Sequence, residues 1–402
     1  MKSQICSKDK CTGCSACANI CPHSAIKMVA DGCGYVFPLV DSSLCVECDL
    51  CAKICPNNKD VEYHNLISAN VAYAKNTEEQ KTSSSGGMAS VLSRAILNKG
   101  GVVYGCSSID CWDVKHIRIE NPDDVVQLKG SKYVQSKIGA TYQSIKQDLQ
   151  SGITVLFIGT PCQVSGLYSF LGKKPDALYT VDLVCHGVPS QEILSGALQT
   201  NKRVSQTGKY SVEFRKKTNS GKSLYGLYLK NKEGKYVLDE TYPNSVYTTA
   251  FLIGLFYRES CYQCKYASIN RVADITLGDY WDEEDQFSGN DSSRYGLSTV
   301  IASSSKGMDL LNMSKDSFQM YPVDIDAMKR RHNQLQHPFP KHKDRHVFVE
   351  NFERFGFSKA CNKALKRYYR NRNLSRVASL IKKVPGTYKI YCILKEWKNA
   401  RK

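Results

Sequence analysis

Eight of the chain's eighteen cysteines fall into two copies of one pattern, Cys11-x2-Cys14-x2-Cys17-x3-Cys21-Pro22 and Cys45-x2-Cys48-x2-Cys51-x3-Cys55-Pro56. Each cysteine of the second copy follows its counterpart by 34 residues, so the segment is an internal duplication. Three cysteines at x2 intervals can wrap one iron–sulfur cubane, and the fourth, just before proline, is set to ligate the other. The spacing therefore predicts one 4Fe-4S cluster on Cys11, Cys14, Cys17 and Cys55, and a second on Cys45, Cys48, Cys51 and Cys21. Pro22 and Pro56 turn the chain away after each fourth ligand. A zinc site would gather two separated CxxC pairs into one tetrahedron, which these runs do not resemble. Cys6 and Cys33 lie outside the pattern and read as bystanders. A chain with such a module handles electrons one at a time.

The 402 residues leave room for two or three domains. No apolar h-region follows the opening MKSQICSKDK, and no stretch approaches the ~20 apolar residues of a membrane span. A soluble, cytoplasmic chain is the expectation.

Past a polar connector at 56–68, apolar runs at 69–73, 102–104, 154–158, 179–184, 274–281 and 299–302 read as strands. Helical spacing follows 88 and covers 142–150, and a further helix is expected around 250–257. Residues 209–242 alternate and carry turn signals, as antiparallel strands do. The fold class expected is α/β with α+β elements: a small ferredoxin domain, then a larger mixed sheet. In such sheets ligands sit beyond the carboxyl ends of strands. Cys162 and Cys185 both follow strands, and Cys261-x2-Cys264 forms a pair. These four read either as ligands of a third cubane or a zinc ion, or as buried thiols. SSSGG at 83–87 opens a helix and reads either as an anion site or as a loop with a serine N-cap. His186 and Asp279, at strand ends, are candidate proton donors or structural groups; no catalytic residue is assigned.

Six segments, SSSGG at 83–87, GSKYVQ at 130–135, GTPCQ at 159–163, CHGVPS at 185–190, RESCYQCK at 258–265 and DITLGDYW at 274–281, occur in the order found in the coenzyme F420 hydrogenase/dehydrogenase beta-subunit family. The chain resembles that family over most of its length. The resemblance implies a flavoprotein, with Ser85, Gly86 and Gly87 at the FAD pyrophosphate and Lys132 near the flavin. It implies a third 4Fe-4S cluster on Cys162, Cys185, Cys261 and Cys264. It divides the chain into a ferredoxin domain at 1–65, a family N-terminal region at 66–150, a family C-terminal region at 151–320 and a basic helical extension at 321–402. The function implied is an oxidoreductase passing electrons between clusters and FAD, then to or from a two-electron acceptor. That acceptor is deazaflavin coenzyme F420 or another substrate, including one linked to cell-surface polysaccharide synthesis. The alternative is a non-catalytic electron-transfer subunit feeding a partner enzyme. Either reading expects an electron donor or acceptor protein, or a small two-electron carrier, as partner.

Of the net charge of +17, thirteen units come from residues 359–402, which hold fourteen Lys or Arg and one acid. Basic residues mixed with Tyr368, Tyr369, Leu380, Ile381 and Trp397 suit an anionic membrane surface, a partner protein or a solvated helix. Peripheral placement at the inner membrane face is one expectation. No nucleic-acid motif is present, and no nucleic acid is expected.

Overall fold

A computed structural model describes residues 5–281 and 294–373. The duplicated cysteine segment contains the short helices α1 (Ala16–Ile20) and α2 (Leu50–Lys53) and an antiparallel hairpin, β1 (Ile26–Ala30) with β2 (Val36–Val40).

The body follows as β3 (Ser68–Ala74), α3 (Thr77–Thr82), α4 (Met88–Leu97), β4 (Val102–Ser107), β5 (Lys115–Ile119), α5 (Thr141–Gln150), β6 (Val155–Ile158), α6 (Pro161–Leu171), β7 (Leu178–Leu183) and α7 (Gln191–Gln199). The strands β8 (Ser211–Lys217), β9 (Ser223–Lys230) and β10 (Tyr236–Thr241) form a separate antiparallel sheet. Then come α8 (Val246–Leu252), β11 (Ile275–Tyr280), β12 (Leu297–Ala302), α9 (Ser305–Met313), β13 (Phe318–Pro322) and α10 (Ile325–Arg331). The large sheet has the order β13-β3-β12-β11-β7-β6-β4-β5. Its centre, β11-β7-β6-β4, is parallel, and both flanks are antiparallel. The α/β class expected from the strand–helix alternation is the one found.

Alternation along each central strand divides the core in two. Val103 and Leu156 face α4 and α9, packing on Met88, Val91, Leu92, Ile96 and Leu310. Val102, Tyr104, Val155 and Phe157 face α5 and α6, packing on Tyr142, Ile145, Val164, Leu167 and Phe170. Cys14 and Ala16 of the cysteine module belong to this second layer.

The helix expected over 250–257 lies earlier, at Val246–Leu252. The Ser245 hydroxyl accepts from the Thr248 N–H (3.3 Å) and starts it, and Gly254 turns left-handed (φ 66°) and ends it. The apolar run continues past that turn, which is why periodicity alone extends the helix.

Residues 342–402 form a second compact unit. Its described part holds α11 (Arg345–Ala364), interrupted at Gly356 (φ 75°). The expectation of a basic amphipathic surface over 359–402 falls, from residue 374 onward, outside the described residues. No helix among the described residues is long and apolar enough to cross a membrane.

Beneath the carboxyl end of β7, Arg271 and Asp182 are both buried and paired at 3.1 Å. Arg271 also donates to the carbonyls of Tyr266 (3.0 Å), Ser268 (3.0 Å) and Leu183 (3.1 Å), and the Thr276 hydroxyl donates to Asp182 (2.6 Å). The network pins the loop after Cys264 to two central strands. Removing one partner of a buried pair strands the other charge. Arg271→Ala is therefore expected to destabilise the body by about 3–5 kcal/mol, read as a lower urea midpoint of the anaerobically purified protein. An unchanged midpoint would show that the pair holds nothing in place.

Candidate functional site: three sets of cysteines

The sequence duplication is also a duplication of backbone strain. Gly13 and Glu47, 34 residues apart, both have positive φ (65° and 54°), and so do Ser15 and Asp49 (63° and 59°). Left-handed non-glycine residues are uncommon and gather at functional sites. Here they curl each C-x2-C-x2-C run into an arc. Cys11, Cys14, Cys17 and Cys55 are buried together. Burial is the first cause that pushes the Cys14 thiol up to about 12, and the neighbouring Cys55, Cys162 and Cys11 add to it. Cys21, Cys45, Cys48 and Cys51 line a second cavity, with Cys48 at the surface. The fourth cysteine of each run is thus found with the three of the other. Cys6, which the spacing leaves aside, packs against the cluster that holds Cys17 and Cys55.

A third set gathers in the body. Cys162 stands in the first turn of α6, and the Gln163 side chain accepts from the Thr160 N–H (2.9 Å) to fix that turn. Cys185 follows β7, where the Val184 N–H bonds to the Leu277 carbonyl (2.8 Å). Cys261 and Cys264 lie on and just after a short 3-10 turn at Glu259–Gln263. All four line one cavity, together with Thr12 and Arg258. Burial pushes Cys261 up to about 12 and Cys264 to about 11, and raises Cys162 and Cys185 as well. Four half-buried thiols raised in this way are poor thiolates unless a cation compensates them. No three His, Cys, Asp or Glu among the described residues converge on a point suited to a single ion. Cysteines from three segments around one cavity are the donor set that a cubane or a zinc ion takes.

The first and third sets share a wall. Cys14 lies directly on α6 at Gly166, where an added Cβ would fall 3.1 Å from the Cys14 sulfur. Cys162 and Cys264 pack against the same apolar layer as Cys14.

The serine–glycine loop lies on the sheet. Gly86 sits so close to β3 and β12 that a Cβ would come within 2.5 Å of the Ala72 carbonyl. Its N–H donates to the Ser298 hydroxyl (3.0 Å), and the Ser85 hydroxyl donates to the Leu297 carbonyl. Gly87 is the left-handed N-cap of α4 (φ 89°). The 130–132 segment meets the loop: the Ser131 N–H donates to the Ser84 hydroxyl (2.7 Å). Lys132 is half-buried, with its ammonium on the carbonyls of Leu128 (2.6 Å) and Lys129 (2.7 Å). Lys217 of β8 reaches the Ser85 carbonyl (2.8 Å). Burial lowers Lys132 to about 8 and Lys217 to about 7. Neither forms an ion pair among the described residues, and Lys217 feels the charges of both Arg215 and Asp279.

Of the two candidate proton donors, Asp279 is engaged by the buried Arg215 (2.6 Å). His186 lines the third cysteine cavity, and burial holds it below the usual imidazole range. Sequence reasoning missed Lys217, Arg215 and the role of Arg258. Arg258 carried a signal, as a charge three residues before Cys261 in a segment otherwise rich in aromatics; Lys217 carried none.

Comparison with known proteins places names on these parts. A 4Fe-4S dicluster domain matches residues 10–59. The family described as "Coenzyme F420 hydrogenase/dehydrogenase, beta subunit" matches twice, by its N-terminal part over residues 70–141 and by its C-terminal part over residues 153–326. Among solved structures, a chain of the xenon-derivatised F420-reducing NiFe hydrogenase complex from Methanosarcina barkeri is similar at 18% identity and a TM-score of 0.47, covering 69% of this chain and 91% of that one. No curated protein matches. Both halves of one family, in order and together spanning more than half the residues behind a dicluster module, show that the chain is an iron–sulfur member of the coenzyme F420 hydrogenase/dehydrogenase beta-subunit family.

Proposed function

We propose that this chain is an iron–sulfur flavoprotein oxidoreductase, taking single electrons from a protein partner at its N-terminal module and delivering them in pairs to an acceptor at the body. The observation that carries the reading is the convergence of Cys162, Cys185, Cys261 and Cys264 on one cavity that shares α6 with Cys14. Four half-buried thiols from three separate parts of the chain suit a third 4Fe-4S cluster. Proximity to Cys14 makes it the natural neighbour of the inner N-terminal cluster. The outer edge of the module suits the partner, because Cys48 is exposed beside the exposed apolar residue Val46.

The start of α4, where Lys217 reaches the Ser85 carbonyl and Ser131 meets Ser84, suits the phosphates of FAD. The first-turn N–H groups of α4 have no partners within the helix, and the helix dipole favours an anion there. Lys132 and Lys217, both half-buried, add positive charge. The Ser85 hydroxyl and the Gly86 N–H are spent on the sheet, so these residues shape the loop and leave the anion to the helix and the lysines. A bound flavin supplies the exchange between one-electron and two-electron chemistry. The two-electron acceptor is coenzyme F420 or another hydride acceptor. The alternative of an electron-transfer subunit shares every cofactor, and differs in showing no turnover of small acceptors until its partner is added.

Anaerobically purified protein is expected to hold about twelve irons, four for each cubane, and one FAD per chain. Cys185→Ser and Cys261→Ser are each expected to remove about four irons while leaving the dicluster signals in electron paramagnetic resonance. A wild type with about eight irons even after reconstitution would sink the third cluster.

Binding of an anion favours the charged form of Lys217, whose ordinary value is lowered by burial and by Arg215 and partly restored by Asp279. FAD affinity is therefore greatest below pH about 7 and falls as the pH rises and the ammonium is lost. Flavin fluorescence titrations on either side of that pH test this, and Lys217→Met is expected to flatten the profile. A profile equally steep in the variant would move the effect to another group.

A further inference from the structure

Arg258 is an arginine with 1% of its surface exposed. Its guanidinium donates from Nε to the Cys11 carbonyl (2.7 Å), from Nη2 to the Val36 carbonyl (2.7 Å) and from Nη1 to Gln135 Oε1 (3.2 Å). Nη2 also lies 3.7 Å from the Cys11 sulfur. One face rests over the Phe37 ring, 4.5 Å from its centroid. On the other side the same residue lines the cavity of Cys162, Cys185, Cys261 and Cys264. No carboxylate pairs with it among the described residues. Gln135, which braces it, donates to the Thr12 carbonyl (2.8 Å), and Thr12 lines the same cavity.

A buried guanidinium without a carboxylate is costly unless another anion compensates it. Carbonyl oxygens satisfy its donors without neutralising its charge. A cubane held by four thiolates is anionic, and becomes more so on reduction. Arg258 stands between two sets of thiols suited to such clusters, in contact with a ligand of the first and on the wall of the second.

We propose that Arg258 is the shared counter-charge of the inner N-terminal cluster and the third cluster, a positioning residue that favours the reduced form of both. When an electron leaves one cluster and arrives at the other, the first is oxidised and the second reduced. With clusters on both cysteine sets, the negative charge would stay near the guanidinium, which touches Cys11 and lines the second cavity. Arg258 does not line the cavity of Cys21, Cys45, Cys48 and Cys51, so the outer cluster lies beyond its contacts. The inference rests on the third cluster of the proposed function, and iron content reports on that cluster separately.

The test is a potentiometric titration of the anaerobic full-length protein, followed by electron paramagnetic resonance. Cys48→Ser and Cys185→Ser variants assign the signals. In Arg258→Gln the midpoints of the inner and third clusters are expected to become more negative by at least tenfold in the reduction equilibrium, about 59 mV for a one-electron couple. The outer cluster should stay in place. Arg258→Lys, which keeps the charge and loses the fork, should show a smaller shift. About twelve irons with unmoved midpoints, or an equal shift of all three clusters, would overturn the assignment. Should Arg258→Gln lose iron, Arg258→Lys decides. Full iron with midpoints close to wild type supports a role for charge, whereas iron loss in both variants makes Arg258 a clasp of the fold and overturns it. About eight irons in the wild type would remove the third cluster itself, a failure of the proposed function rather than of the geometry at Cys11.

Discussion

The contact on which the rest depends is the seating of Cys14 against α6 at Gly166. It is an apolar contact, made by a thiol and the missing side chain of a glycine, inside a layer that also holds Val164, Leu167 and Phe170. A larger residue at 166 would push the cysteine module off the helix whose first turn carries Cys162. The electron-handling module and the body are thus joined through core packing, reinforced by hydrogen bonds such as those of Arg258 to the Cys11 and Val36 carbonyls. Electron transfer weakens steeply with separation, so a packed joint of this kind suits its purpose.

Charge is organised around that joint. Among the described residues the body buries the guanidinium groups of Arg258, Arg271 and Arg215, and each is handled differently. Arg271 meets Asp182, and Arg215 meets Asp279 while stacking on Tyr225 at 4.8 Å from its centroid. Both are ordinary structural pairs. Arg258 meets backbone carbonyls, a glutamine and a sulfur. The contrast separates a residue that holds strands together from one whose charge is left over for something the protein carries.

What could be read in the sequence was whatever is local. The ligand runs at 11–21 and 45–55 are legible because cubane geometry is written into spacings of two and three residues. The central strands are legible because the period of two and the strand ends survive in any context. Cys162 and Cys185 could be paired in advance because open α/β sheets present their ligands beyond strand ends. Arg258 could not be assigned, because its partner Cys11 lies 247 residues away. Lys217 could not be placed either, since it reaches Ser85 across 132 residues from a different sheet. The end of α8 was misjudged because Gly254 stops a helix that hydrophobic spacing would continue. The serine–glycine loop looked like a set of donors, yet Ser85 and Gly86 turn toward Leu297 and Ser298, which no local pattern encodes.

The three cysteine sets also differ in how much chain must be in order before each is complete. The two sets of the module lie within residues 11–55 and need only two arcs and a hairpin. The third draws on β6, β7 and the 3-10 turn, with about a hundred residues between Cys162 and Cys264. Contacts of such long range form late, because loop closure must precede the gain. The module can therefore be metallated as a small unit, whereas the third set exists only once the parallel sheet is assembled. Assembly thus has a built-in sequence, in which the four cysteines of the body are the last to be brought together.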